Sequence, residues 1–250
     1  HQHHILLIDL ERSESPVSRL PLTQGMLFKL VDGLIVINVE MQEAERELVR
    51  RLGLPVVTVG SRFEDSACIG IDDFGSAGLA TDHVVGLGHG RIAYIGKAKP
   101  HAAHRRTPSD RLAGFHDALA RAGVRVPEEW VFDSDWSAGD AHRTAMGLLS
   151  RPDRPTAIIA GSDEIALGVL GAARSLALDV PSDLSIVGID DHDLAEVFGL
   201  TTVRQDVAAQ GVAAAQTLLV HLGLLDAGTV PDQSFPVELV VRNSTARIDR

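Results

Sequence analysis

With a single cysteine, Cys68, the chain excludes an intramolecular disulfide, and nothing in it indicates an oxidising compartment. Cys68 lies in the run Ala67-Cys68-Ile69 and reads as a small buried hydrophobe rather than a nucleophile. Positive charge is scarce: 23 Lys and Arg stand against 34 Asp and Glu, a formal net charge of −11. An acidic surface repels phosphate backbones, which argues against DNA binding by this chain on its own. No apolar run approaches the ~20 residues needed to cross a bilayer. No basic-then-apolar leader opens the chain, so the expected location is the cytoplasm, with no membrane partner. Repeats, low-complexity tracts and charge blocks are also missing.

The motifs of catalysis are missing as well. There is no Gly-x-Ser-x-Gly elbow, phosphate loop or metal-ligand spacing. Gly75-Ser76-Ala77-Gly78 lacks the spacing of a dinucleotide fingerprint and reads as a helix start. Asp72, Asp190, His89, His104, His116 and His192 supply acid–base groups in principle. With no such motif around them, the expectation is a binding protein without cofactor or metal.

What is present is an alternation. The 250 residues are 45% hydrophobic and 23% charged, ordinary for a globular chain of one or two domains. Short β-branched runs alternate with longer stretches of helical spacing, the pattern of βαβ units and a parallel sheet. The strand candidates are Ile5–Ile8, Gly33–Ile37, Val56–Val59, Ile92–Ile95, Val131–Phe132, Ala157–Ala160, Leu184–Ile189 and Val237–Val241. They are continuously apolar, as strands covered on both faces are. Thr107-Pro108-Ser109-Asp110 offers an N-cap, a first-turn proline and an acid, and Ser162-Asp163-Glu164 a cap with two acids. Gly53, Gly88 and Gly123 suit left-handed helix ends.

Ligands of open parallel sheets bind beyond the carboxyl ends of the strands. Here those ends are repeatedly polar: Asp9, Asn38, Asp72-Asp73, Arg105, Asp135-Trp136, Ser162-Asp163, Asp190-Asp191 and Gln205-Asp206. Each by itself reads equally well as a helix cap. Together, carboxylates, an arginine and an indole match a polyhydroxylated ligand, with the ring face on the tryptophan.

Several segments carry a specific resemblance. Val31-Asp32-Gly33-Leu34-Ile35-Val36, Leu87-Gly88-His89-Gly90-Arg91-Ile92-Ala93-Tyr94-Ile95-Gly96, Arg111-Leu112-Ala113-Gly114-Phe115 and Pro155-Thr156-Ala157-Ile158 come first. They are followed by Ser162-Asp163-Glu164-Ile165-Ala166-Leu167-Gly168 and the run from Val180 to Asp191. Leu200-Thr201-Thr202-Val203-Arg204-Gln205-Asp206 and Leu239-Val240-Val241-Arg242-Asn243-Ser244-Thr245 complete the set. In this order they resemble the effector-binding domain of LacI/GalR transcription repressors.

The resemblance implies a periplasmic binding protein-like α/β fold of type I. Two Rossmann-like lobes of parallel sheet flanked by helices are hinged by three crossovers, near Asp72, Asp206 and Phe235. One lobe would hold residues 1–72 and 207–234, the other 73–206 and 235–250. It also implies a small-molecule effector, a mono- or disaccharide, taken up between the lobes by a homodimer whose operator DNA is read by a separate helix-turn-helix head. The site residues carried over are Asp72, Arg105, Thr107, Arg111, Trp136, Ser162, Asp190 and Gln205.

Alternatives stand beside these roles. Arg111 and Asp190 also read as a structural ion pair, Trp136 as core, Thr107 as a helix cap and Asp163 as a first-turn acid. Ser162 stands where the family has asparagine, which shortens its reach. Ile5–Ile8 looks like the family's second strand, with no match to the first strand and its helix. A periplasmic-type sugar-binding protein for transport is the alternative function.

Overall fold

The structure is a computed structural model that describes residues 4–8, 22–27, 29–38, 41–61, 66–96, 107–226 and 231–248. In chain order the elements are α1 (Gln24–Leu27), β1 (Leu34–Ile37), α2 (Glu43–Leu52), β2 (Val56–Val59), β3 (Ala67–Ile71), α3 (Asp73–Gly86), β4 (Ile92–Gly96) and α4 (Thr107–Arg121). After these come β5 (Val131–Asp133), α5 (Ala138–Leu149), β6 (Ala157–Ala160), α6 (Asp163–Ser175), β7 (Ser185–Asp190) and α7 (Asp193–Val197). The last are β8 (Thr201–Gln205), α8 (Val207–His221), β9 (Gln233–Phe235) and β10 (Val237–Val240). The chain forms two compact units, 1–70 with 207–233 and 71–206 with 234–250, and passes between them three times.

The first unit is built on a four-stranded sheet of order β1-β2-β3-β9. The pairs β1/β2 and β2/β3 are parallel, with Leu34 opposite Val56 and Val57 opposite Ala67. Leu27, Met41, Leu48, Val49 and Val56 form its small core, and α8 packs on β1 and β2. Glu45 fixes the start of α2: its buried carboxylate accepts from Gln42 N–H and from Leu22 N–H, each at 2.7 Å. Gly53, at φ 65°, ends that helix in the left-handed form expected of it.

Three expectations for this part of the chain are corrected. Residues 5–8 carry no strand, and Ile5 and Leu7 stand 94% and 88% exposed. An apolar run becomes a strand only where a neighbour offers backbone partners, and none does so here among the described residues. β1 is not covered on both faces, since Ile35 and Ile37 stay exposed. Cys68 is half-buried rather than buried, its thiol directed to Ser61 O at 3.2 Å.

The second unit carries a six-stranded sheet of order β10-β8-β7-β6-β4-β5, parallel except for the β10 edge strand, which runs antiparallel to β8. Its strands are apolar throughout because both faces are covered. Ile92, Tyr94, Ala157, Ile159, Val187 and Ile189 pack under α3 and α4. The intervening Ala93, Ile95, Ile158, Ala160 and Ile186 pack under α5 and α6. Two glycines bring the helices of each pair into contact. A Cβ on Gly114 would strike the Phe74 carbonyl, and one on Gly168 the Ala138 carbonyl.

The segment after β10 stitches the sheet from one side. Ser244 Oγ donates to Ile186 O at 2.6 Å and accepts Thr201 N–H at 2.8 Å. Buried His89 spans Thr156 Oγ1 (2.9 Å) and Ala246 O (3.0 Å).

Candidate functional site

In a parallel sheet all carboxyl ends lie along one edge, and the helices that follow start there. In the second unit this edge gathers the ends of β4 to β8 and the first turns of α3, α4 and α6. Arg111, in the second turn of α4, is the centre of the arrangement. It is 5% exposed, and each arm of its guanidinium is engaged. Nε donates to Asp73 Oδ1 at 2.8 Å, Nη1 to the Gly161 carbonyl, and Nη2 lies 3.5 Å from Asp190 Oδ1. Gln205 Nε2 donates to the same Asp190 oxygen at 2.6 Å. The Trp136 ring lies with its centroid 5.8 Å from Arg111 Cζ, within cation–π range.

Charge in this cluster follows from burial and pairing. Burial opposes the Arg111 cation, but Asp190 and Asp73 outweigh it and hold the guanidinium above its ordinary value. Burial pushes the Asp190 carboxyl up, and Arg111 and Gln205 offset this only in part. Asp191 goes the other way: against partial burial, Arg204 (2.6 Å) and Arg242 (2.7 Å) hold it below the usual carboxylate range.

Backbone strain collects at the same edge. Trp136, Asp190 and Asp191 have φ of 71°, 130° and 58°, a region that L side chains rarely adopt. Such residues cost about 1–3 kcal/mol each and persist where the surroundings enforce them, most often at functional sites.

The structure thus brings Arg111, Trp136, Asp190 and Gln205 together. Trp136, half-buried, also packs on the core beneath α5 and α6. Ser162 sits at the same edge as the N-cap of α6, accepting Ile165 N–H at 3.3 Å. Asp72 is exposed and caps α3, accepting Gly75 N–H at 2.9 Å. Thr107 is already the first helical residue of α4, one position inside the cap assigned to it. Arg105 lies outside the described residues.

Sequence reasoning missed Asp73 as the acid that reaches Arg111, and it missed Tyr94. The Tyr94 hydroxyl is buried beneath the glycines that end β4 and follow β6: a Cβ on Gly161 would lie 3.2 Å from it. No hydrogen-bond partner meets this hydroxyl among the described residues, and burial pushes its phenol above the ordinary value. Asp73 was legible only as half of an acidic doublet; nothing in the sequence marked Tyr94. No cluster of metal-ligating side chains occurs among the described residues.

Comparison with known proteins agrees with this fold. Residues 81–245 match the family model of the periplasmic binding protein-like domain. The HTH-type transcriptional repressor PurR of Escherichia coli is 35% identical over 200 residues, covering 78% of this chain and 58% of the repressor. The chain therefore spans less than two thirds of the length of that curated relative. A LacI family regulator from Enterococcus faecium, solved with bound ribose, superposes with a TM-score of 0.77 at 26% identity over 88% of this chain and 81% of that one. The transcriptional regulator CelR in complex with cellobiose gives 0.76 at 27% identity, over 87% and 67% of the two chains. On this breadth of match the chain belongs to the periplasmic binding protein-like family, as an effector-binding domain of the LacI family of transcriptional regulators.

Proposed function

We propose that the chain is the effector-binding and dimerisation part of a LacI/GalR-type repressor whose effector is a mono- or disaccharide. One observation carries the reading: a guanidinium, two carboxylates, a carboxamide and an indole face meet at the strand ends of the second unit. A planar donor fork beside carboxylates grips vicinal hydroxyls, and an aromatic face takes the apolar side of a sugar ring. The ribose- and cellobiose-bound regulators of the same fold support a sugar over other small ligands.

An effector shifts a population by its difference in affinity for two states, and coupling of about 1–3 kcal/mol changes operator affinity some 5- to 150-fold. Operator DNA is read by a head outside this chain, in a cytoplasmic homodimer, since a two-fold operator calls for a two-fold protein. The chain binds rather than transforms its ligand, in line with the regulators it resembles.

The test is thermal denaturation against a panel of pentoses, hexoses and disaccharides that includes ribose and cellobiose. A hundredfold excess over Kd stabilises by about 2.7 kcal/mol, which raises Tm by about 5–10 °C in a chain of this size. Trp136→Ala should abolish the rise. A panel without any rise, or a rise unchanged in Trp136→Ala, overturns the proposal.

A further inference from the structure

Asp163 opens α6, where an acid at the positive helix end needs no other explanation. Its surroundings go beyond that. The side chain is 1% exposed, and both oxygens are engaged from across the sheet edge. Thr202 O–H donates to Oδ1 at 2.5 Å and His192 N–H to Oδ2 at 2.8 Å. Thr202 Oγ1 in turn accepts Asp191 N–H at 3.4 Å. Asp191 and His192 directly follow Asp190, and the φ values of Asp190 and Asp191 lie in the glycine-favoured region. Closer along β7, a Cβ on Gly188 would run into the Asp163 carboxylate. The turn that presents Asp190 to Arg111 therefore hangs from Asp163.

We propose that Asp163 is a positioning residue that holds Asp190 against Arg111, and that gain of a proton by Asp163 loosens this hold. An ionised carboxylate only accepts, which suits the two donors it meets. A proton on Oδ1 adds a third donor to the same small space. Thr202 must then turn its own hydrogen away and accept from the acid on its second lone pair, which shifts the oxygen that also holds Asp191 N–H. The displacement passes to residues 191 and 192 and so to Asp190. The largest charge effects on Asp163 come from Asp190 and Asp191 at the end of β7, and both repel its ionised form. Asp191 also pairs with Arg204 of β8 and with Arg242, while His192 reaches Asp163 through its backbone. Burial above all, against the bonds from Thr202 and His192, brings the carboxyl up to about 6. The change of state thus falls just below neutral pH.

The functional meaning rests on the effector reading above, but the test needs no effector. In the isotopically labelled chain, nuclear magnetic resonance follows the Asp163 carboxyl carbon, the His192 amide and the Arg111 Nε–H from pH 8 to pH 4.5. All three should titrate with one midpoint near the value given for Asp163. Asn carries a donor in place of one oxygen, so Asp163→Asn should put the His192 and Arg111 signals at their acid-end positions already at pH 7.5 and abolish that midpoint. An Arg111 signal that stays put while Asp163 titrates overturns the proposal. So does an Asp163→Asn protein with both signals at the wild-type alkaline positions. Should that variant not fold, Thr202→Val keeps the carboxylate and removes the relay: the Asp191 amide should then stop following the titration, and its unaltered response refutes the relay. A failed sugar panel leaves all these shifts unaffected, so the two proposals fail separately.

Discussion

Replacing Arg111 by methionine keeps most of the side-chain volume and removes the charge. Asp73 and Asp190 then lose their shared counter-ion, and the Gly161 carbonyl loses its donor. Removing one member of a buried ion pair costs about 3–5 kcal/mol. The Asp190 side chain is 31% exposed, so water takes over part of the solvation and the cost belongs at the lower end. About 3 kcal/mol lowers Tm by ~6–12 °C in a chain of this size.

The pH dependence has a definite sign. Without the guanidinium, the Asp190 carboxyl, already pushed up by burial, loses the charge that offsets this and rises further in the folded state. A raised folded value adds stability toward low pH and removes it as pH rises, so the deficit against wild type is largest at pH 7.5 and shrinks by pH 5. Urea denaturation of both proteins at the two pH values reads this directly. Arg111→Met combined with Asp73→Asn should recover about half of the loss, because the deeper of the two stranded charges is gone. A deficit below about 1 kcal/mol at pH 7.5, or one equal at both pH values, refutes the argument that stranded charge sets the cost.

Two further outcomes follow from packing and burial. Gly114→Ala drives a methyl into the Phe74 carbonyl and should destabilise by about 1–3 kcal/mol in thermal denaturation; helix propensity alone would give the opposite sign. Burial lowers the His89 imidazole below its ordinary value. Its contribution is therefore present above the unfolded value of 6.5 and fades as pH falls. His89→Gln, able to keep both hydrogen bonds, should flatten the loss of stability between pH 7 and pH 5 in denaturation curves.

The second unit was largely legible because its strands are covered on both faces. Ile92–Ile95 and Ala157–Ala160 declare themselves by unbroken apolar character, and the structure starts and ends those strands within a residue of the expected bounds. Where one face stays open or the strand lies near an edge, the signal fades. β8 reads Thr-Thr-Val-Arg-Gln because its last residues turn toward the polar edge and pair with Asp190 and Asp191. Ile5–Ile8 has the opposite defect, a good strand composition without a strand partner among the described residues.

In the site, Arg111, Trp136, Asp190 and Gln205 were named from the family resemblance, and the structure assembles them. The Asp72-Asp73 doublet was not separable, since one step along a helix start decides which acid caps and which reaches inward. Asp163 looked like an ordinary first-turn acid. Its burial depends on Thr202 and His192, 39 and 29 residues away, and no local pattern encodes such distances.

The position of β10 in the chain bears on how the second unit comes into being. The sheet has its first five strands by Gln205, but its edge and the Ser244 and His89 stitches await residues that follow the whole excursion through 207–233. A chain emerging from the ribosome N-terminus first holds a five-stranded platform with a bare edge until that excursion is complete. Sheet closure of this kind depends on contacts far apart in sequence, which form slowly. During synthesis, then, the outer backbone groups of β8 are paired only after the chain has returned from that excursion.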